Sequence, residues 1–177
     1  MNRQSKAQKK KFTSTAKKCL SLSALRKLRE KWRREGLVVG LTNGCFDLLH
    51  RGHVTYLQKA RWKCDRLIVA VNSDHSVRAL DKGPGRPLNS QDDRAFVLAG
   101  LSCVDATVIF DEPTVTRVIE ALAPDHYFKG GDYTLATLNP DEKRAVQDGG
   151  GKITLIPLVP GKSTTALVKK MRTPTKS

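Results

Sequence analysis

Leu37-Val38-Val39-Gly40-Leu41-Thr42-Asn43-Gly44-Cys45-Phe46-Asp47-Leu48-Leu49-His50-Arg51-Gly52-His53 joins an apolar run to a glycine-containing turn and two imidazoles, and Val54, Leu57 and Ala60 behind it supply one face of a helix. The stretch reads as strand, turn and helix start. A helix start presents unpaired N–H groups and the positive end of its dipole, so it can hold phosphate. Gly52 lets an anion approach the backbone closely. His50 and His53, three residues apart on one helical face, can donate to phosphate oxygens and to the charge that develops when a phosphorus is attacked. Two plainer readings compete: half of a metal site, for which no third ligand stands at a fixed spacing, or two unrelated histidines. The phosphate reading is preferred because turn, glycine and imidazoles all follow one strand.

Outward from this stretch, short apolar runs alternate with helical patterns, the signature of a parallel sheet with crossover helices. The fold class is α/β: one Rossmann-like, doubly wound domain with a mainly parallel five-stranded sheet. Strands are expected at Leu37 to Thr42, Arg66 to Val71, Ala106 to Phe110, His126 to Lys129 and Lys152 to Ile156. Before the first strand, Leu22, Leu25, Leu28 and Trp32 recur at helical spacing among Lys and Arg until Gly36, which predicts an amphipathic helix with a cationic outer face. Other helix starts are marked by Ser90 with Asp93, by Pro113 after Asp111 and Glu112, by Asn139-Pro140, and by Ser163. In such sheets ligands collect outside the carboxyl ends of the strands, where the order reverses.

A chain of 177 residues fits one core. No run approaches the ~18 apolar residues of a membrane span, and no secretory signal is present, so a cytoplasmic location is expected. The four cysteines fit neither a disulfide framework nor a paired zinc pattern; they read as free thiols, mostly buried, and no protein-held metal is expected. The net charge of +15 is uneven: residues 1–34 hold 13 Lys and Arg against one acid, the rest 19 against 16. Residues 1–18 read as a basic disordered arm ahead of a domain over 19–177. A nucleic-acid or anionic-surface binder that uses the arm is the rival from another class. The near-neutral domain argues against it, and no specific nucleic-acid partner is expected.

Gly44-Cys45-Phe46-Asp47 with His50-x-Gly52-His53 resembles the signature of the cytidylyltransferase-like nucleotidyltransferases, whose shared HxGH element binds the phosphates of the triphosphate. Within them, Thr42-Asn43-Gly44-Cys45-Phe46-Asp47 resembles the D-glycero-β-D-manno-heptose 1-phosphate adenylyltransferases. Further blocks match in order: Val71-Asn72-Ser73-Asp74, Lys82-Gly83-Pro84-Gly85-Arg86-Pro87 with Arg94, Lys129-Gly130-Gly131-Asp132, and Gly161-Lys162-Ser163-Thr164-Thr165. The similarity covers about residues 20–171.

The resemblance implies transfer of an adenylyl group from ATP, accompanied by Mg²⁺, to a sugar 1-phosphate, for ADP-heptose and surface polysaccharide synthesis, by a homo-oligomer such as a dimer. It implies catalytic roles for His50, His53, Lys82 and Arg94, and nucleotide contacts from Gly44, Cys45, Phe46, Gly52, Lys129, Gly130, Gly131, Asp132, Ser163, Thr164 and Thr165. Asn72, Asp74, Lys82 and Arg86 would meet the sugar phosphate. The physical need is that bases and Mg²⁺ screen a tetra-anionic triphosphate from a dianionic acceptor. The runner-up is a cytidylyltransferase acting on glycerol 3-phosphate or a similar polyol phosphate. Leu158, where those enzymes usually carry Arg, weakens the CTP reading. Many heptose enzymes join this domain behind a sugar kinase, which this sequence lacks, so a separate kinase is expected to supply the sugar phosphate.

Overall fold

The computed structural model describes residues 14–80, 83, 85–131, 134, 136–157, 159–161 and 164–172. Five strands, β1 (Val39–Gly44), β2 (Arg66–Asn72), β3 (Ala106–Phe110), β4 (His126–Gly130) and β5 (Lys152–Ile156), form one sheet in the order β3-β2-β1-β4-β5. Every pairing is parallel. The helices among the described residues are α1 (Leu22–Arg34), α2 (Arg51–Arg61), α3 (Asp74–Ala79), α4 (Gln91–Ala99), α5 (Thr116–Leu122), α6 (Pro140–Asp148) and α7 (Thr164–Arg172). The α/β, doubly wound expectation holds. The chain winds outward from β1 to β3 and then returns to lay β4 on the other side of β1, so the order reverses between β1 and β4. That is where a crevice must open.

Alternation along the strands divides the core between two faces. Ile68, Ala70, Val108 and Tyr127 pack with Leu25 and Trp32 of α1, Ile119 and Leu122 of α5, and Val146 of α6. Leu67, Val69, Val71 and Phe128 pack on the opposite face with Leu57 and Ala60 of α2 and Leu98 of α4. Each large apolar side chain buried this way contributes roughly 1.5–3 kcal/mol before entropy is set against it. Gly40 of β1 is required by close approach, since a Cβ there would run into the Phe128 ring and stand 2.8 Å from Cys64 Sγ.

The structure moves several expected boundaries. β1 begins at Val39, because Val38 is occupied before the ladder starts: its N–H donates to Asp65 Oδ2 at 2.9 Å and its carbonyl accepts from Asp65 and Arg66. Pairing then continues through Asn43 and Gly44 opposite Ala70 and Val71. Pro113 does not open a helix; α5 starts at Thr116, after Val115 has been buried. The short α3 was not anticipated, although Ser73 caps it by accepting from Ser76 N–H at 2.9 Å. Ser90 and Asn139 cap α4 and α6 as expected.

The outer face of α1 is not wholly cationic surface. Arg29 is 3% exposed. Its Nε and Nη2 donate to the carbonyls of Leu122 and Ala123 at 3.1 and 3.0 Å, and Nη2 also meets Asp125 Oδ2 at 3.1 Å. A cation thus satisfies the carbonyls that end α5. Residues 1–13 of the expected disordered arm lie outside the described residues, but Thr15–Lys18 form a 3-10 turn. Lys18 Nζ donates to Val104 O at 2.8 Å, and Leu20 N–H donates to Thr107 O at 2.9 Å, so contacts with the domain begin before Cys19. All four cysteines are free thiols, with Cys64 and Cys103 buried and Cys19 and Cys45 half-buried.

Candidate nucleotide site

A cleft of about 560 Å³ opens over the carboxyl ends of β1 and β4. Of the residues singled out in the sequence, Gly44, Cys45, Phe46, His50, Gly52, His53, Asn72, Arg86, Lys129, Gly130, Thr164 and Thr165 line it. A second crevice of about 450 Å³, between α5 and α6, holds none of them. Lys82, Asp132, Ser163 and Leu158 lie outside the described residues, and exposed Gly131 does not line the cleft.

The imidazole wall follows from a local backbone device. Phe46 takes a left-handed φ of +48°, uncommon for a residue with a side chain and costing on the order of 1 kcal/mol. Its ring folds back toward β1, so close to Gly44 that a Cβ there would lie 3.0 Å from Phe46 Cε2. The ring also meets His53 edge-on at 5.2 Å. His50 is the N-cap of α2, its carbonyl accepting from His53 N–H at 3.0 Å, and the two imidazoles stack with centroids 3.9 Å apart. Thr164, the first residue of α7, donates its hydroxyl to Leu48 O at 3.3 Å, so the starts of α2 and α7 converge on the cleft. Two positive dipole ends then face one space.

Asp47, which the sequence reading passed over, fixes the loop between α3 and α4. Its carboxylate is 2% exposed; Oδ1 accepts from the N–H groups of Leu88 and Asn89 at 2.7 and 3.1 Å, and Oδ2 pairs with Arg86 Nε at 2.7 Å. Arg86 is therefore held at the cleft wall by its inner nitrogen. Arg94, expected at the phosphates, is enclosed by protein. Its side chain is 1% exposed, and its donors end on Asn89 O, Cys45 O and Asp74 Oδ1 at 3.1, 2.6 and 2.7 Å. Neither Arg94 nor Asp74 lines the cleft. A buried guanidinium must have its donors satisfied, and here protein oxygens satisfy three of them, which ties Arg94 to the Cys45 turn.

The opposite wall comes from β4 and α6. Lys129 Nζ lies 3.1 Å from Asn43 Oδ1 and 3.0 Å from Glu142 Oε2, and sits over the Tyr127 ring at 5.2 Å. The Tyr127 hydroxyl stands 2.8 Å from Asn43 Oδ1 and 2.9 Å from Glu142 Oε2. Asn43, Tyr127 and Glu142 were not singled out in the sequence. Asn72 donates to Ser76 Oγ at 2.9 Å, and Cys45 Sγ lies 3.9 Å from its Oδ1. Among the described residues no group of three His, Cys, Asp or Glu stands ready to hold a metal ion, and no helix is long and apolar enough to cross a membrane.

Residues 41–169 match the family model described as cytidylyltransferase-like. The chain is 53% identical over 153 residues to the bifunctional protein HldE of Mesorhizobium japonicum, a match covering 86% of this chain and 30% of that protein. It is 54% identical over 153 residues to the protein of the same name from Granulibacter bethesdensis, over 86% of this chain and 31% of that one. The chain thus spans about 30% of the length of these relatives. Its fold is similar to the crystal structure of the lipopolysaccharide core biosynthesis protein from Thermoplasma volcanium, with a TM-score of 0.58, 23% identity, and coverage of 70% of this chain and 98% of that one. The pantoate-beta-alanine ligase of Francisella tularensis shares the fold at a TM-score of 0.56 and 17% identity, over 78% of this chain and 66% of that one.

Proposed function

We propose, from the premise that the chain belongs to the cytidylyltransferase-like family, that its cleft moves the adenylyl group of ATP onto D-glycero-β-D-manno-heptose 1-phosphate, releasing pyrophosphate and ADP-heptose for surface polysaccharide synthesis. The observation that carries this is the stacked His50–His53 pair at the start of α2, sharing one cleft with Lys129 and Arg86. The Thr42-Asn43-Gly44-Cys45-Phe46-Asp47 and Lys129-Gly130-Gly131-Asp132 blocks support the heptose acceptor by their resemblance. A reaction that consumes ATP fits the cytoplasmic location in this reading.

An acceptor phosphate oxygen attacks the α-phosphorus in line. The new P–O bond forms as the bond to the bridging oxygen breaks, and pyrophosphate leaves with that electron pair. No enzyme nucleophile is needed, so the protein's work is positioning and charge stabilisation. His50 and His53 donate to the α-phosphate as its charge redistributes. Arg86 and Lys129 gather the anions, and Thr164 and Thr165 receive the pyrophosphate end at the α7 start. The described carboxylates near the cleft are engaged: Asp47 by Arg86, Glu142 by Lys129, Asp74 by Arg94. That donor set suits a Mg²⁺ carried in on the phosphate oxygens with its waters, not one caged by protein. With the nucleotide bound, such an ion would screen the triphosphate charge beside Arg86 and Lys129.

Pyrophosphate release with ATP or CTP, crossed against heptose 1-phosphate and glycerol 3-phosphate, tests the reading. The ATP and heptose 1-phosphate pair should turn over fastest. Faster release from CTP and glycerol 3-phosphate would transfer the assignment to the polyol branch of the family.

A further inference from the structure

Glu142 is a carboxylate buried where a carboxylate is out of place. It is 5% exposed, on the first turn of α6, in line with buried Ala145 and Val146 three and four residues on. An unpaired charge there would be expensive, and the structure shows what compensates it: Lys129 Nζ at 3.0 Å and the Tyr127 hydroxyl at 2.9 Å from Oε2, with Val115 N–H 3.5 Å from Oε1. Asn139, the α6 cap, accepts from the Glu142 N–H at 3.2 Å and so fixes the turn that carries it.

The partner matters more than the pair. Lys129 is the penultimate residue of β4 and lines the cleft, and a lysine on a four-carbon stem does not by itself hold a direction. An ammonium has three donors. Asn43 Oδ1 at 3.1 Å and Glu142 Oε2 at 3.0 Å both accept from it, which holds the group at the wall of the cleft. From these contacts we infer that Glu142 is a positioning residue for nucleotide binding: its carboxylate, reaching over the sheet from α6, sets the Lys129 ammonium against the triphosphate that α2 receives from the other face. The inference rests on the nucleotidyltransferase reading, but not on the identity of the acceptor.

ATP affinity measured calorimetrically without acceptor tests it on wild type, Glu142→Gln, Lys129→Met and the double variant, with thermal midpoints recorded in parallel. Glu142→Gln should weaken ATP binding about tenfold and raise the KM for ATP, with kcat changing less than about threefold, the scale of one charge-assisted hydrogen bond. Lys129→Met should weaken it at least as much, and the double variant should bind ATP as Lys129→Met does. Should Glu142→Gln alone fail to fold, the double variant removes both charges, and equality with Lys129→Met remains the test. Unchanged or tighter ATP binding by Glu142→Gln, or losses that multiply in the double variant, would overturn the inference. A wild type that binds ATP but turns over another acceptor would correct the proposed substrate and leave Glu142 standing; a wild type that binds neither ATP, CTP nor pyrophosphate would overturn both.

Discussion

Two buried cations sit at opposite ends of the sheet, each beside a carboxylate, and they do different work. At the amino end Arg29 meets Asp125, whose Oδ2 also accepts from Val39 N–H at 2.7 Å where β1 begins. At the carboxyl end Lys129 meets Glu142 where β4 finishes. Exposure hardly separates them, at 3% and 7%. What separates them is what surrounds each cation. The Arg29 fork closes on the last carbonyls of α5, tying α1, α5 and β1 together; burial pushes its pKa down, and Asp125 opposes that shift. The Lys129 ammonium borders the cleft. The same pairing is a joint between helices and a strand in one place and part of a cleft wall in the other.

The largest effect expected lies wholly at the carboxyl end. His50→Ala or His53→Ala should each lower turnover about 10²- to 10³-fold, the scale for losing one transition-state donor, with an unchanged thermal midpoint. A loss below about tenfold in a folded variant would make the imidazoles packing groups.

Arg29→Met should do the reverse. Leaving Asp125 and two carbonyls without their cation should cost about 2 kcal/mol of stability, discounted because Asp125 is half-exposed, while ATP affinity of the folded fraction stays at the wild-type value. A denaturant midpoint that did not move, or an ATP affinity that did, would erase the distinction between the two ends.

The smallest effect concerns Cys64, buried against Gly40 near the amino end, whose thiol is pushed up to about 11 chiefly by desolvation. Its folded pKa lies above its unfolded value of 9.0, so its contribution is fully present below pH 9 and is lost as pH rises toward 11. Near pH 10 the loss should be about 1.4 kcal/mol, one unit of differential titration. Denaturant titrations of wild type and Cys64→Ala should show that alkaline slope in the first and a shallower one in the second. Equal slopes would mean that Cys64 ionises as readily folded as unfolded.

The strand-turn-helix around His50 was legible because its chemistry is local: glycine, turn and imidazoles are neighbours in the chain as well as in space. The parallel sheet was legible from apolar runs of strand length separated by helical patterns. Arg94 and Glu142 were not, because a base or acid has the same letter whether it meets a ligand, a carbonyl or a buried partner. Arg94 was expected at the phosphates, and the structure shows it donating to Cys45 O; Glu142 was not singled out at all. A signal did exist. Arg29 with Leu25 and Trp32, Arg94 with Ala95 and Leu98, and Glu142 with Ala145 and Val146 each place a charge on the apolar stripe of a helix. Such a charge must find a partner inside.

The bridge between Cys19 and Thr107 covers part of a sheet edge. β3 is an outermost strand, and an outermost strand offers unpaired backbone groups to any passing chain. Here the segment before α1 lies along it, Leu20 N–H capping the Thr107 carbonyl and Lys18 covering Val104 O. The residues that join the basic arm to the domain are therefore a guard rail, and a protein shortened through Leu20 would bare part of β3 to any strand that could pair with it.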